Sequence, residues 1–78
     1  MSSRLLQRCG EALYGPRWQS DLARDLGVSD RTVRRWAAGM PIPDGVIAEL
    51  ITLCRNRTAA IHDIIKSMGE KHESANQR

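Results

Sequence analysis

Residues 19–36 read QSDLARDLGVSDRTVRRW, and their spacing predicts two short helices joined by a tight turn. Gly27 lies at the turn, where glycine adopts the left-handed backbone conformation without the steric cost that other residues incur. Ser29 follows as an N-cap whose hydroxyl accepts from a free amide of the next helix. We therefore expect a second helix over residues 30–38 that ends near Gly39.

Small and apolar residues predict how these two helices pack. Leu22, Ala23 and Leu26 share one face of the first helix. Because Ala23 has a small side chain, the second helix can approach it closely. The apolar residues that fill the angle between the helices are Val28, Val33 and Trp36.

The same positions carry a resemblance to a known family. Within residues 19–36, the fifth residue is an alanine, Ala23, the ninth is a glycine, Gly27, and five other positions are apolar. These five are Leu22, Leu26, Val28, Val33 and Trp36. This pattern resembles the helix-turn-helix of the phage repressor (lambda-repressor-like, Cro-like) family of DNA-binding proteins, and extends more loosely over residues 5–68. The resemblance implies an all-α, compact four- to five-helix lambda-repressor-like domain. The alternative is a helical hairpin with no nucleic-acid role.

Length and composition limit the classes of function. A chain of 78 residues favours one domain and disfavours an enclosed catalytic pocket. The net charge of +3 and pI near 9.4 are modest for a nucleic-acid binder. Ten of the twelve basic residues are arginines, which bind phosphate and guanine bidentately, although genomic base composition gives the same bias.

No catalytic or metal-binding pattern is present in the sequence. There is no nucleophile with a plausible base and no phosphate-binding glycine-rich loop, so we expect no enzyme and no cofactor. Cys9, Cys54, His62 and His72 form no close pair, so we expect no metal.

The amino-terminal sequence predicts a cytoplasmic protein. Arg4 and Arg8 interrupt any apolar run of the kind found in a signal peptide, and no segment approaches membrane-spanning length. We therefore expect no membrane partner. Cys9 and Cys54 fall on apolar helical faces, and in a reducing cytosol we expect no disulfide between them.

A first helix is predicted between a cap at Ser2 or Ser3 and a stop at Gly15. Gly10 either weakens this helix by about 1 kcal/mol relative to alanine or marks a close helix contact. The apolar residues predicted to face the core are Leu5, Leu6, Cys9, Ala12 and Leu13.

The second helix of the helix-turn-helix is the predicted recognition helix. Its exposed positions are Asp30, Arg31, Arg34 and Arg35, with Thr32 toward the edge. The arginines, spaced by three and four, project from one surface and favour a DNA site with G·C pairs. Asp30 either accepts a hydrogen bond from a cytosine amino group, or stabilises the amino end of the helix by its negative charge and restrains the side chain of Arg34. The alternative for the whole cluster is a solvated charged face.

Three further residues complete the predicted DNA-binding set. Arg17 and Gln19 lie at the amino end of the preceding helix, where free backbone amides favour a phosphate. In the phage repressor family, glutamine commonly holds the position of Gln19 as a backbone clamp, a role that the resemblance implies here. Ser29 belongs to the set at the amino end of the recognition helix.

The carboxyl-terminal third is apolar at helical spacing, but the sequence leaves open whether residues 44–68 form one helix or two. Its last apolar residues either close the core of the monomer or pair with their copies in a dimer. They are Ile61, Ile64, Ile65 and Met68, called the apolar stripe below. Because the sequence becomes polar beyond residue 69, we predict a helix-turn-helix domain of residues 1–69 and a disordered tail of residues 70–78.

Two functions fit this sequence. The first is a sequence-specific, double-stranded DNA-binding transcriptional regulator, a dimeric repressor whose recognition helices occupy successive major grooves about 34 to 36 Å apart. The second is a protein-binding module, an antitoxin-like or adaptor subunit, that uses its apolar carboxyl-terminal helix to hold another protein.

Overall fold

The computed structural model describes residues 1–76, with their side chains as far as His72, and contains four α-helices and no strand in that range. The helices are α1 (Ser3–Tyr14), α2 (Trp18–Leu26), α3 (Asp30–Ala37) and α4 (Asp44–Asn76). The predicted all-α class is therefore confirmed, at the lower of the two predicted helix numbers. Residues 77–78 of the predicted tail lie outside the described residues.

One hydrophobic core holds α1, α2, α3 and the beginning of α4 together. Its buried members are Leu6, Trp18, Leu22, Ala23, Val33, Trp36 and Leu50. Ala23 lies in this core, in agreement with the small residue predicted where α2 and α3 approach each other. Burial of each large apolar side chain stabilises the fold by roughly 1.5 to 3 kcal/mol.

Helix α1 begins at a serine cap and packs directly on an indole ring. The hydroxyl of Ser2 accepts from the amide of Leu5 at 3.1 Å. A Cβ placed on Gly10 would lie 2.2 Å from Cε3 of Trp18, so the close-contact interpretation of Gly10 is correct. Of the predicted core face, Leu5 and Ala12 are wrong: both are exposed, because the helix turns Leu6, Gly10 and Leu13 inward.

The turn between α2 and α3 has the geometry that the sequence predicts. Gly27 is left-handed with a φ of 70°. The amide of Val28 donates to the carbonyl of Ala23 at 3.0 Å, and that of Gly27 to the carbonyl of Arg24 at 3.2 Å. This pair of bonds is the Schellman motif. Helix α3 ends at Ala37, one residue before the predicted end.

Helix α4 is a single helix of 33 residues, which answers the question the sequence left open. The hydroxyl of Thr58 donates to the carbonyl of Cys54 at 2.8 Å instead of capping a new helix. The helix also crosses residue 69 and reaches Asn76, through most of the segment predicted as a disordered tail. The division into a domain of residues 1–69 and a separate tail remains a prediction.

Only the first part of α4 packs on the rest of the chain. Leu50 is 3% exposed, whereas every residue from 55 to 72 is exposed. The apolar stripe is 48 to 58% exposed, so it does not close the core of the monomer. The molecule measures 57 × 22 × 21 Å because α4 extends beyond the core. Neither α4 nor any other helix in residues 1–76 combines the length and apolar character needed to span a bilayer.

Candidate nucleic-acid interface

Helix α3 is held by one face and presents arginines on the other. Val33 and Trp36 are 0% and 7% exposed and anchor the helix in the core. Arg31, Arg34 and Arg35 are exposed, and none of their side chains forms a hydrogen bond or salt bridge with another described residue. Their guanidinium groups are therefore free to bind an external acceptor.

Two hydroxyl groups fix the amino end of α3. The side chain of Ser29 accepts from the amide of Thr32 at 3.2 Å, as the cap prediction requires. The two hydroxyls also lie 2.9 Å apart and bond to each other. Both residues of the predicted DNA-binding set thus have a structural role at the start of the recognition helix, with Ser29 exposed and Thr32 half-buried.

Asp30 binds to α2 and not to its own helix. Its Oδ2 accepts from the hydroxyl of Ser20 at 3.0 Å. No salt bridge joins Asp30 to Arg34 in the described residues, so the expected restraint of Arg34 is not found. The carboxylate still lies in the first turn of α3, where it stabilises the positive end of the helix dipole. It ties α2 to α3 and leaves Arg34 unrestrained.

The amino end of α2 is open. Arg17 occupies the cap position of α2 and forms no side-chain cap bond, and in the described part of the chain no other side chain is recorded on the first-turn amides. Its own side chain is exposed, and Gln19 beside it is half-buried. A shallow pocket is lined by residues 16–20. A cation next to free helical amides is an arrangement that binds phosphate.

Two other polar contacts brace the helix-turn-helix without belonging to the predicted site. Arg24, the exposed arginine of α2, forms a salt bridge with Asp21 at 2.9 Å. The hydroxyl of Tyr14 donates to Asp25 at 2.7 Å and joins α1 to α2. Burial, and then this bond to Asp25, raises the pKa of Tyr14 above its usual range. The tyrosine therefore stays protonated and keeps its hydrogen bond at neutral pH.

A separate apolar surface lies between α1 and α4. This α1–α4 groove encloses about 670 Å³ and is lined mainly by Met1, Leu5, Cys9, Ile47, Ile51 and Cys54. The sulfur atoms of Cys9 and Cys54 lie 3.5 Å apart, and both thiols are free. Burial, together with the contact to Cys54, raises the pKa of the Cys9 thiol to about 11.

The structure distributes the predicted site residues between two surfaces. The predicted DNA-binding residues lie on α3 and at the amino ends of α2 and α3, whereas the apolar stripe lies on the free part of α4. Sequence reasoning missed Ser20, which holds Asp30 from ten residues away. It also missed Leu5 as a wall of the groove, because a leucine on an amphipathic helix is ordinarily assigned to the core.

Comparison with known proteins identifies the family. A family model described as Aca2/YdiL-like matches residues 22–78, which include the second half of α2, the recognition helix and all of α4. This match supports a helix-turn-helix regulator and does not single out the lambda-repressor-like family that the sequence resembles. No curated protein and no solved structure matches the chain. With its helix-turn-helix formed by α2 and α3, the chain belongs to the Aca2/YdiL-like family.

Proposed function

We propose that this chain is a sequence-specific, double-stranded DNA-binding transcriptional regulator that represses as a homodimer. The observation that carries the proposal is the two-sided character of α3. One side is fixed by Val33 and Trp36, and the other presents three arginines with no partner among the described residues. Membership of a helix-turn-helix regulator family supports the same function.

The dimensions of α3 suit the major groove. An α-helix with its side chains is about 10 to 12 Å in diameter, comparable with the roughly 12 Å width of the major groove of B-form DNA. Arg31 lies between Arg34 and Arg35 on the helix surface, and the three cover about 100° of it. Two of them can reach base edges while the third lies toward the sugar-phosphate backbone. Each bidentate contact to guanine discriminates against a wrong base by about 1 to 3 kcal/mol.

The amino end of α2 supplies a phosphate contact that fixes orientation. Arg17 and the uncapped amides of the first turn bind one phosphate, and Gln19 clamps the adjacent backbone. Such contacts carry no sequence information. Removing the Arg17 charge therefore weakens binding to all DNA sequences about equally. It also reduces, by about 1, the steepness with which log K for DNA falls against log salt concentration.

The recognition helix is held in place by contacts that do not involve the side chains of its arginines. The Ser29 cap, the bond from Ser20 to Asp30 and the buried Val33 each hold α3 without help from the arginines. Arginine substitutions therefore change binding and leave the fold intact. This separation of roles makes the proposal simple to test.

Dimerisation supplies the affinity that one short helix lacks. Two linked recognition helices bind an inverted repeat through effective concentration, and the bound dimer occludes polymerase at an overlapping promoter. The surface we assign to dimerisation is the apolar stripe, because its four side chains are about half exposed.

In vitro selection of bound DNA from a random duplex library tests this function. We expect the enriched sites to contain an inverted repeat with G·C pairs and with half-site centres about 10 base pairs apart. Enrichment of no motif above the starting library would contradict sequence-specific binding. Enrichment of single half-sites would retain DNA binding and contradict the dimer.

The exposure of the apolar stripe also favours a second candidate, a module that holds a different protein through α4. Light scattering separates the two functions. The DNA-binding homodimer gives twice the 8.7 kDa mass of the chain, whereas an adaptor isolated without its partner gives a monomer or an aggregate.

A further inference from the structure

The α1–α4 groove and the apolar stripe lie on one continuous face of α4. Residues of this face recur at alternating spacings of four and three, and they are Ile47, Ile51, Cys54, Thr58, Ile61, Ile65 and Met68. A repeat of 3.5 residues is the pattern of a coiled coil, and we call this face the seam. Its first half forms the floor of the groove beside α1, and its second half is exposed.

We propose that the seam binds the seam of a second copy of this chain in antiparallel orientation. The free half of each α4 then lies in the α1–α4 groove of the other copy. This inference deepens the homodimer of the proposed function and rests on it. The interface is isologous, since the same two surfaces of each copy meet.

The side chains along the seam favour this pairing. In the antiparallel register, Ile51 packs on the partner subunit's Met68, and Cys54 packs on the partner subunit's Ile65. Ile51 is 47% exposed and Met68 58% exposed in the single chain, so both gain burial. An antiparallel pair thus fills an apolar groove with an apolar stripe. A parallel pair brings together the two halves that carry α1, which keeps the helices apart at that end and leaves both grooves empty.

The same register sets the distance between the two recognition units. Each helix-turn-helix is anchored to α4 through the buried Leu50. In the antiparallel pair this residue and its copy lie about 19 residues apart along the helices, or about 28 Å at 1.5 Å per residue. With helix axes about 8 to 10 Å apart, the two anchors are about 30 Å from each other. This is close to the 34 to 36 Å between successive major grooves on one face of DNA.

Cysteine cross-linking tests the orientation. In a chain with Cys9→Ala and Cys54→Ala, a protein with Ile51→Cys is mixed with one carrying Met68→Cys and exposed to oxidised glutathione. We expect the mixed disulfide to exceed either like-with-like dimer at least tenfold. In the antiparallel pair Met68 and its copy are about 25 Å apart, too far for a disulfide. Self-cross-linking of the Met68→Cys protein overturns the proposal in favour of a parallel pair.

A second variant retains the natural Cys54. The protein with Cys9→Ala and Ile65→Cys is expected to form a covalent dimer through Cys54 and residue 65 of the partner. The matched control, Cys9→Ala with Lys66→Cys, places the new thiol off the seam and is expected to cross-link at least tenfold less. A dimer by sedimentation that cross-links in neither design also overturns the proposal.

DNA binding by the same proteins separates this inference from the proposed function. A parallel dimer that binds a selected inverted repeat overturns the antiparallel pairing and leaves the DNA-binding function in place. An antiparallel dimer that binds no selected DNA overturns the function and leaves the pairing in place.

Discussion

Two parts of this chain bury their apolar residues to opposite extents. The first part, through Cys54, closes a core around Leu22, Val33 and Trp36. The second part, residues 55–72, carries apolar side chains at the same helical spacing and leaves them about half exposed. An isolated helical segment of this length is marginal in water, since helices draw most of their stability from packing. The first part therefore folds on its own contacts, and we propose that the second is stabilised by a partner surface.

The sharpest test of this contrast is a matched pair of truncations. Leu22→Ala is expected to lower the free energy of unfolding by about 2 to 5 kcal/mol, because it leaves a cavity in the only core of the described residues. Ile64→Ala, measured at a concentration that keeps the chain monomeric, is expected to change it by less than about 0.5 kcal/mol. Urea denaturation followed by circular dichroism measures both. A large loss from Ile64→Ala in the monomer would show that the free half packs on its own chain.

The next largest effect is expected on association. Ile65→Glu places a charge in the seam, and we expect it to weaken dimerisation at least a hundredfold while α2 and α3 remain folded. Sedimentation equilibrium measures the dissociation constant. Lys66→Glu is the matched control, since it introduces the same side chain one residue away and off the seam. Equal dimerisation by both variants would exclude the apolar stripe as the interface.

A smaller effect on association distinguishes the two orientations of the dimer. Leu5→Asp changes a wall of the α1–α4 groove, at a side chain that is 48% exposed and lies outside the core. Dimerisation is expected to weaken about tenfold if the groove is occupied by the partner's helix. Arg4→Asp serves as a neighbouring control that is exposed and does not line the groove. A Leu5→Asp protein that dimerises as well as the Arg4→Asp protein would leave the groove without a role.

The smallest expected effect is on pH dependence. Burial raises the pKa of Cys9 from 9.0 to about 11 in the folded chain, so the folded state holds its proton more tightly than the unfolded state. The resulting stabilisation is complete below pH 9 and is lost as pH rises from 9 toward 11. Partial exposure of the thiol limits it to about 1 kcal/mol or less. Cys9→Ala is expected to flatten the fall in unfolding free energy between pH 8 and 10.5, and an unchanged slope would contradict this assignment.

The sequence predicts the fold where its signals are local. Gly27 and Ser29 form hydrogen bonds to residues within a few positions of themselves, so the turn and the helix cap can be predicted from the sequence alone. The 3.6-residue spacing likewise identifies Val33 and Trp36 as the inward face of α3. These local features are sufficient to assign the three arginines to the outer face of the helix.

The sequence fails where the answer depends on contacts between distant segments. Leu5 and Leu6 are adjacent and equally apolar, and only the positions of α2 and α4 decide that Leu6 enters the core. The bond from Ser20 to Asp30 links two helices and has no sequence signature. At residues 55–58 the apolar pattern pauses, yet α4 continues because arginine, asparagine and threonine are all tolerated in an exposed helix.

The central claim is that arginines of α3 bind base edges, and a titration of Arg34→Ala tests it most directly. Fluorescence anisotropy with the selected inverted repeat and with a scrambled duplex, at one salt concentration, measures both affinities. We predict at least a hundredfold loss on the selected site, a much smaller loss on the scrambled duplex and an unchanged thermal unfolding midpoint. Lys66→Ala, which removes the same charge from α4, is expected to bind as the parent does. Equal affinity of Arg34→Ala and the parent for the selected site would contradict the account.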